Sequence, residues 1–288
     1  MMRVIFVPVA NRPECAAALN TAFAIGRSVG ASIIGCHIRP HSNSRVALPS
    51  SLGKLGLSND DAEWQAAFKP RDTRKGETEA RILFARLANS HGYDLMRQPR
   101  IKPGAVWMEK TGSPQKVIGI MGPLADLLVV SRPSGKGGTL ARLFLSASLL
   151  RSSRPVLVLP QLRERPVGNR VCIAWNQSME AARAVAAAMP FLTRADHVSI
   201  VACGPETQAG PKSSQLATYL KYWGVKSERA SAPGKDEPRE IIAAYKSTGS
   251  DLLVMGAYGR SRMSQLVFGG VTEYMLNRAS IPVLMLYT

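Results

Sequence analysis

The feature that most constrains this 288-residue chain is an internal repeat. Arg3-Val4 recurs as Arg170-Val171, Ser32-Ile33 as Ser199-Ile200, and Cys36 as Cys203, all at one offset of 167. Further on, Asp126-Leu127-Leu128-Val129 recurs as Asp251-Leu252-Leu253-Val254 at an offset of 125, and Pro155-Val156-Leu157 recurs as Pro282-Val283-Leu284 at 127. The change of offset places about 42 additional residues inside the first copy. A period this long is not that of a solenoid, so the expectation is a globular domain duplicated in tandem. The first copy is expected over residues 1–160 and the second over 170–288, joined by the polar, proline-containing stretch Gln161–Asn169.

Within each copy, apolar runs bounded by turn residues alternate with segments of helical spacing. In the first copy the expected strands are Val4–Val9, Ser32–Ile38, Ala105–Lys110, Asp126–Ser131 and Pro155–Leu159. Helices are expected over Pro13–Gly30, Glu77–Ser90, Pro114–Met121 and Thr139–Leu150. The second copy repeats the order with strands Val171–Trp175, Val198–Cys203, Val225–Ala230, Leu252–Met255 and Val283–Leu286. Its helices are expected over Ser178–Met189, with Ser178 as N-cap, over Ser213–Trp223 and Glu237–Gly249, and after Gly269-Gly270. Near-continuous apolar strands separated by helices imply α/β domains with open parallel sheets covered by helices on both faces. Ligands of such sheets bind beyond the carboxyl ends of the strands, where the strand order switches. The additional segment near 41–76 is polar and turn-rich; Trp64 and Phe68 predict a short amphipathic helix packed on the domain surface.

The end of the chain carries the chemistry. An apolar run, Leu252–Met255, is followed by Gly256 and Gly259, and Gly269-Gly270 opens a helical pattern through Val271, Tyr274, Met275 and Arg278. Glycines at a strand exit and at a helix start let backbone N–H groups approach a phosphate. The alternative is two ordinary turns of an α/β domain, since isolated glycine patterns occur by chance. The spacing Gly256-x2-Gly259-x9-Gly269, followed by Val271-Thr272-Glu273 and the closing Ile281-Pro282-Val283-Leu284, resembles the ATP-binding signature of the universal stress protein family. The resemblance covers nearly the whole chain apart from the segment near 41–76. It implies two tandem Rossmann-like domains of the adenine nucleotide alpha hydrolase type.

By that resemblance the second copy binds ATP, with or without Mg2+, and the site residues are Ala174, Asn176, Cys203, Met255, Gly256, Gly259, Arg260, Gly269, Gly270, Val271 and Thr272. Asn176 stands where the family often has an Asp near adenine or ribose, and the backbone at Cys203 faces adenine. Met255 and Gly256 line the adenine side, and the residues from Gly259 onward line the phosphates. One position departs from the pattern: Gly270 stands where the family has Ser or Thr, which removes a hydroxyl expected to touch phosphate. The first copy has Ser131-Arg132-Pro133-Ser134 in place of the first two glycines and no glycine pair near Phe144–Ser148. Its glycine-rich loop SGKGGTLAR is off register and lacks the Walker-type spacing, so the first copy is expected to keep the fold without the phosphate cradle.

No catalytic residue and no metal site is expected. The chain has no Gly-x-Ser-x-Gly elbow, and Pro40 separates His37 from His41, so those two histidines would not share a helix face. Asp126 and Asp251 each precede the fourth strand of their copy, which argues for a structural role. The four cysteines, at 15, 36, 172 and 203, form no metal-type spacing and suit buried reduced thiols in a cytoplasmic protein. No apolar run reaches membrane-spanning length, so no membrane partner is expected. The net charge of +17 favours acidic partners, but the basic residues are dispersed and a solvated basic surface is favoured over nucleic-acid binding.

The resemblance also implies that Pro155–Leu159 and Pro282–Leu286 lie side by side, making an intramolecular pseudo-dimer, with further homodimerisation open. Two functions remain at this point. One is an ATP-binding, non-catalytic stress-response or regulatory protein acting through protein partners. The other is a scaffold of the same fold that no longer binds nucleotide.

Overall fold

A computed structural model of the protein describes residues 2–10, 13–39, 73–133, 138–161, 166–257 and 270–287, with the side chains of residues 13 and 73–75 left undescribed. The expected helix at Trp64 and Phe68 lies outside the described residues. The chain divides into two compact units, Met2–Ser152 and Ser153–Thr288. No helix among the described residues is long and apolar enough to cross a membrane.

The first unit runs β1 (Val4–Val9), α1 (Pro13–Val29), β2 (Ser32–Arg39), α2 (Thr73–Ser90), β3 (Leu95–Met96), β4 (Ala105–Thr111), α3 (Pro114–Met121), a 3-10 turn (Gly122–Leu124), β5 (Leu127–Ser131) and α4 (Thr139–Arg151). Its strands pair in the order β3-β4-β2-β1-β5, every pair parallel. The short edge strand β3 is too brief to leave a pattern in the sequence. The core packs Phe23 between Phe84 and Tyr93, with ring centroids 5.4 and 5.2 Å apart. Gly35, in the middle of β2, leaves the space that the Phe84 ring fills: a Cβ there would lie 2.6 Å from it.

The second unit runs β6 (Val156–Leu159), β7 (Arg170–Trp175), α5 (Met179–Leu192), β8 (His197–Cys203), α6 (Ser213–Tyr222), β9 (Glu228–Ala232), α7 (Glu237–Ser247), β10 (Leu252–Gly256), α8 (Gly270–Asn277) and β11 (Val283–Leu286). The strand order is β6-β11-β10-β7-β8-β9. All pairs are parallel except β6 with β11, which run antiparallel with Leu157 opposite Leu284. The strand expected to end the first copy, β6, therefore falls in the second unit and pairs with the closing strand β11. From β7 the chain builds outward through β8 and β9, then returns to the other side of β7 with β10 and β11. That reversal makes the gap between β7 and β10 the switch point of this sheet. The first unit reverses in the same way between β1 and β5.

Helix boundaries follow from local chemistry. Ser178 has extended backbone and its Oγ accepts from the Ala181 N–H at 3.1 Å, the expected N-cap of α5. That helix continues beyond Met189 through Pro190, because Phe191 and Leu192 are buried and hold its last turn in place. The strand expected from Val225 begins only at Glu228. Gly224, at φ +73°, ends α6, and the Val225 N–H donates to the Leu220 carbonyl, so Val225 belongs to the helix stop.

Asp126 and Asp251 perform one structural task twice. Asp126 Oδ2 accepts from the Arg3 and Val4 N–H groups at 2.7 and 2.9 Å. Asp251 accepts from Gly168 at 2.7 Å, Asn169 at 3.1 Å and Arg170 at 3.2 Å. Each carboxylate thus fastens two strand starts together, β1 to β5 in the first unit and β7 to β10 in the second. We expect Asp251→Ala to lower unfolding free energy by about 1–3 kcal/mol through the orphaned N–H groups. Asp126→Ala should cost less, since it holds two such groups rather than three. Urea unfolding of both variants checks the order.

Candidate functional site

A cavity of about 110 Å³ opens at the switch point of the second unit. It is bounded by Ala174 and Trp175 at the end of β7, Val201 and Cys203 of β8, and Met255 and Gly256 at the end of β10. Helices supply the rest: Ser178 and Glu180 at the start of α5, Glu237 and Ile241 of α7, and Val271 and Thr272 at the start of α8.

Of the residues singled out in the sequence, Ala174, Asn176, Cys203, Met255, Gly256, Val271 and Thr272 all line this one cavity. Gly270 begins α8 but is exposed and is not among the lining residues. Gly259, Arg260 and Gly269 lie outside the described residues.

The turn that carries Asn176 is held from several directions. Gln177 takes a left-handed φ of +62°, unusual for a residue with a side chain, and is nearly buried. Its Nε2 donates to the Gln208 and Gly210 carbonyls at 3.1 and 3.0 Å, and its Oε1 accepts from the Gln208 N–H at 3.2 Å. The Trp175 indole N–H donates to the Pro211 carbonyl at 2.8 Å. Those bonds tie the loop after β8 to the exit of β7 and offset the cost of the left-handed residue. The Asn176 Oδ1 is occupied locally, accepting from the Ser178 hydroxyl at 2.7 Å.

Gly256 has a steric role that its glycine spacing did not reveal. A Cβ there would lie 2.6 Å from the Ala181 backbone nitrogen and 2.7 Å from the Glu180 carbonyl carbon. The first turn of α5 therefore rests directly against the exit of β10. The matching residue of the first unit is Ser131, whose hydroxyl donates to the Glu14 carbonyl of α1 at 2.7 Å.

The switch point of the first unit is nearly closed. The corresponding cleft measures about 20 Å³ and is lined by Pro8 of β1, Cys15 and Ala18 of α1, Val130 and Ser131 of β5, and Leu140 and Phe144 of α4, among others. That is room for roughly one water molecule. Helix α4 begins with buried Leu140, Ala141 and Phe144, where α8 begins with an exposed glycine.

Two carboxylates face the second-unit cavity, Glu180 and Glu237, and no Lys or Arg is among its described lining residues. Glu180, the acid in the first turn of α5, is turned inward by the fold, where it is 6% exposed. Sequence spacing could have suggested this, since Glu180 follows the N-cap by two residues and sits one turn before the buried Ala184. Burial, with the charges of Glu240 and Glu237 beside it, pushes the Cys203 thiol up to about 12, which disfavours the thiolate. His37 is buried on β2 with its ring centroid 6.2 Å from that of Trp107, and burial lowers its pKa. His41 lies outside the described residues. Among the described residues no cluster of three or more His, Cys, Asp or Glu could hold a metal ion.

Residues 204–286 match the model of the universal stress protein family. Over those residues the second unit is similar to that family. A universal stress protein of Synechocystis sp. is 27% identical over 248 residues, covering 83% of this chain and 82% of that protein. Among solved structures, a universal stress protein from Archaeoglobus fulgidus matches 98% of this chain and 97% of its own at 15% identity, with a TM-score of 0.67. One from Pseudomonas aeruginosa covers 99% of this chain and 93% of its own at 14% identity, with a TM-score of 0.53. The solved structures support the open, mostly parallel α/β fold.

The contact at Gly256 generates a test. Gly256→Ala must push α5 away from β10, and we expect it to cost about 1–3 kcal/mol. Gly270→Ser, where an added Cβ meets nothing within 4 Å, should leave the urea midpoint nearly unchanged.

Proposed function

We propose that this chain is a universal stress protein and that it binds one adenine nucleotide, ATP with or without Mg2+, in the second-unit cavity. It would act without catalysis as a cytoplasmic stress-response or regulatory protein, and nucleotide occupancy would be read by protein partners. The observation that carries this reading is the convergence on one switch-point cavity of Gly256, Val271 and Thr272 from the signature segment, with residues from the ends of β7 and β8.

The cavity suits the adenosine part of the ligand. Ala174, Val201, Ile241 and Met255 provide apolar walls for a flat base, and the strand ends at Trp175 and Cys203 provide backbone polar groups. The start of α8 brings the Thr272 hydroxyl and the positive end of the helix dipole for an anion. The non-catalytic reading is supported by the lining itself: its described residues include no histidine, and its thiol is held protonated. The nearly closed cleft of the first unit supports a single site per chain. The other reading, a scaffold that has ceased to bind nucleotide, draws support from the two lining carboxylates and the exposed Gly270.

Calorimetric titration with ATP and magnesium tests the proposal. We expect a stoichiometry of one, with Thr272→Val weakening binding severalfold through a lost hydrogen bond. Gly259→Val should abolish binding, whereas substitution of Ser134 should not alter it. Gly270→Ser, by restoring a hydroxyl at the helix start, should tighten it. Absence of heat, together with failure of any adenine nucleotide to displace a fluorescent adenine analogue, favours the scaffold reading.

A further inference from the structure

We infer that Glu180 is the specificity-determining residue of this cavity and that it reads the paired 2′- and 3′-hydroxyls of a ribonucleoside. The inference rests on the adenine-nucleotide reading above. Glu180 is 6% exposed yet faces the cavity. Among the described residues its carboxylate has no hydrogen-bond or ion-pair partner. The carboxylate opens on the cavity rather than on the core. A ligand that brings hydrogen-bond donors supplies what the protein leaves out. The two oxygens of one carboxylate match a vicinal diol, each hydroxyl donating to one oxygen.

Position selects the sugar over the base or the phosphates. The Glu180 Cβ sits beside Gly256, at the β10 end of the cavity. Val201, Cys203 and Ile241 line the β8 side, which suits a flat base. Val271 and Thr272 at the N-terminus of α8 form the side suited to an anion. A phosphate placed against Glu180 would meet a like charge in a poorly solvated site. The group between base and phosphate is the ribose, and an acidic side chain is the usual reader of a ribose hydroxyl in open α/β sheets. Glu180 is not among the positions that the glycine signature marks, so this contact is particular to the lining found here.

The test is a titration of the full chain with adenosine, 2′-deoxyadenosine and ATP, repeated for Glu180→Gln and Glu180→Ala. The wild-type protein should bind adenosine roughly tenfold or more tightly than 2′-deoxyadenosine, as loss of a hydrogen bond to a charged group implies. That ratio should fall to near one in Glu180→Ala and lie between in Glu180→Gln. The wild-type comparison needs no variant and stands even if the substitutions unfold the unit. Equal affinity for adenosine and 2′-deoxyadenosine in the wild-type protein overturns the inference. So does a Glu180→Gln variant that binds ATP more tightly while keeping the ribose preference, because Glu180 then faces the phosphates. If no adenine compound binds the wild-type protein, the nucleotide reading itself falls, and the inference with it.

Discussion

The contact on which the second unit depends is the approach of the first turn of α5 to the exit of β10, which glycine at position 256 permits. With no Cβ in the way, the helix start rests on the strand end. The Ser178 cap and the turn at Gln177 are then held at the mouth of the switch point. Everything that faces the cavity from α5 follows from that placement, Glu180 included. In the first unit Ser131 stands at the matching strand exit and bonds the Glu14 carbonyl through its hydroxyl. The same fold therefore builds two different switch points: one left open at about 110 Å³, the other filled to about 20 Å³ by α4 and its Leu140 and Phe144. The difference lies in a few side chains at strand exits and helix starts, while the strand order reverses at the matching place in both units, β1/β5 and β7/β10.

Much of the architecture was legible because the repeat let one half interpret the other. Asp126 and Asp251 recur in both halves, including the one without the glycine signature, and both prove to be clamps on the first strand of their copy. Ser178 was readable as a cap because its short side chain precedes a helical pattern, and its hydroxyl accepts from Ala181 as expected. Features that depend on three-dimensional neighbours were less legible. The start of β9 was misplaced because Val225 is as apolar as a strand residue, while its N–H serves the stop of α6. The steric role of Gly256 depends on a helix some 75 positions earlier in the chain. The inward turn of Glu180 was hidden because an acid in a first helical turn has a sufficient local explanation.

The charge of the chain and the charge of its cavity point in opposite directions. A net charge of +17 suggests attraction to anions, yet the described lining carries two carboxylates and no Lys or Arg. Dispersed surface charge sets solubility and encounter, whereas selection happens at the lining. On the proposed reading, an acidic wall in a pocket of mixed apolar and polar lining favours ligand hydroxyls and leaves the anionic end of a nucleotide to the start of α8. That division would let one pocket hold a nucleotide while presenting acids to it.

The central claim is that only the second unit carries a working nucleotide site, at the gap between β7 and β10. Hydrogen–deuterium exchange with and without saturating ATP and magnesium tests this most directly, because it locates the ligand without altering the protein. The account predicts slowed exchange at Ala174–Trp175, Met255–Ala257 and Val271–Thr272, with no change at Val130–Ser131 or Leu140–Phe144. Equal protection at both switch points, or none at either, would contradict it.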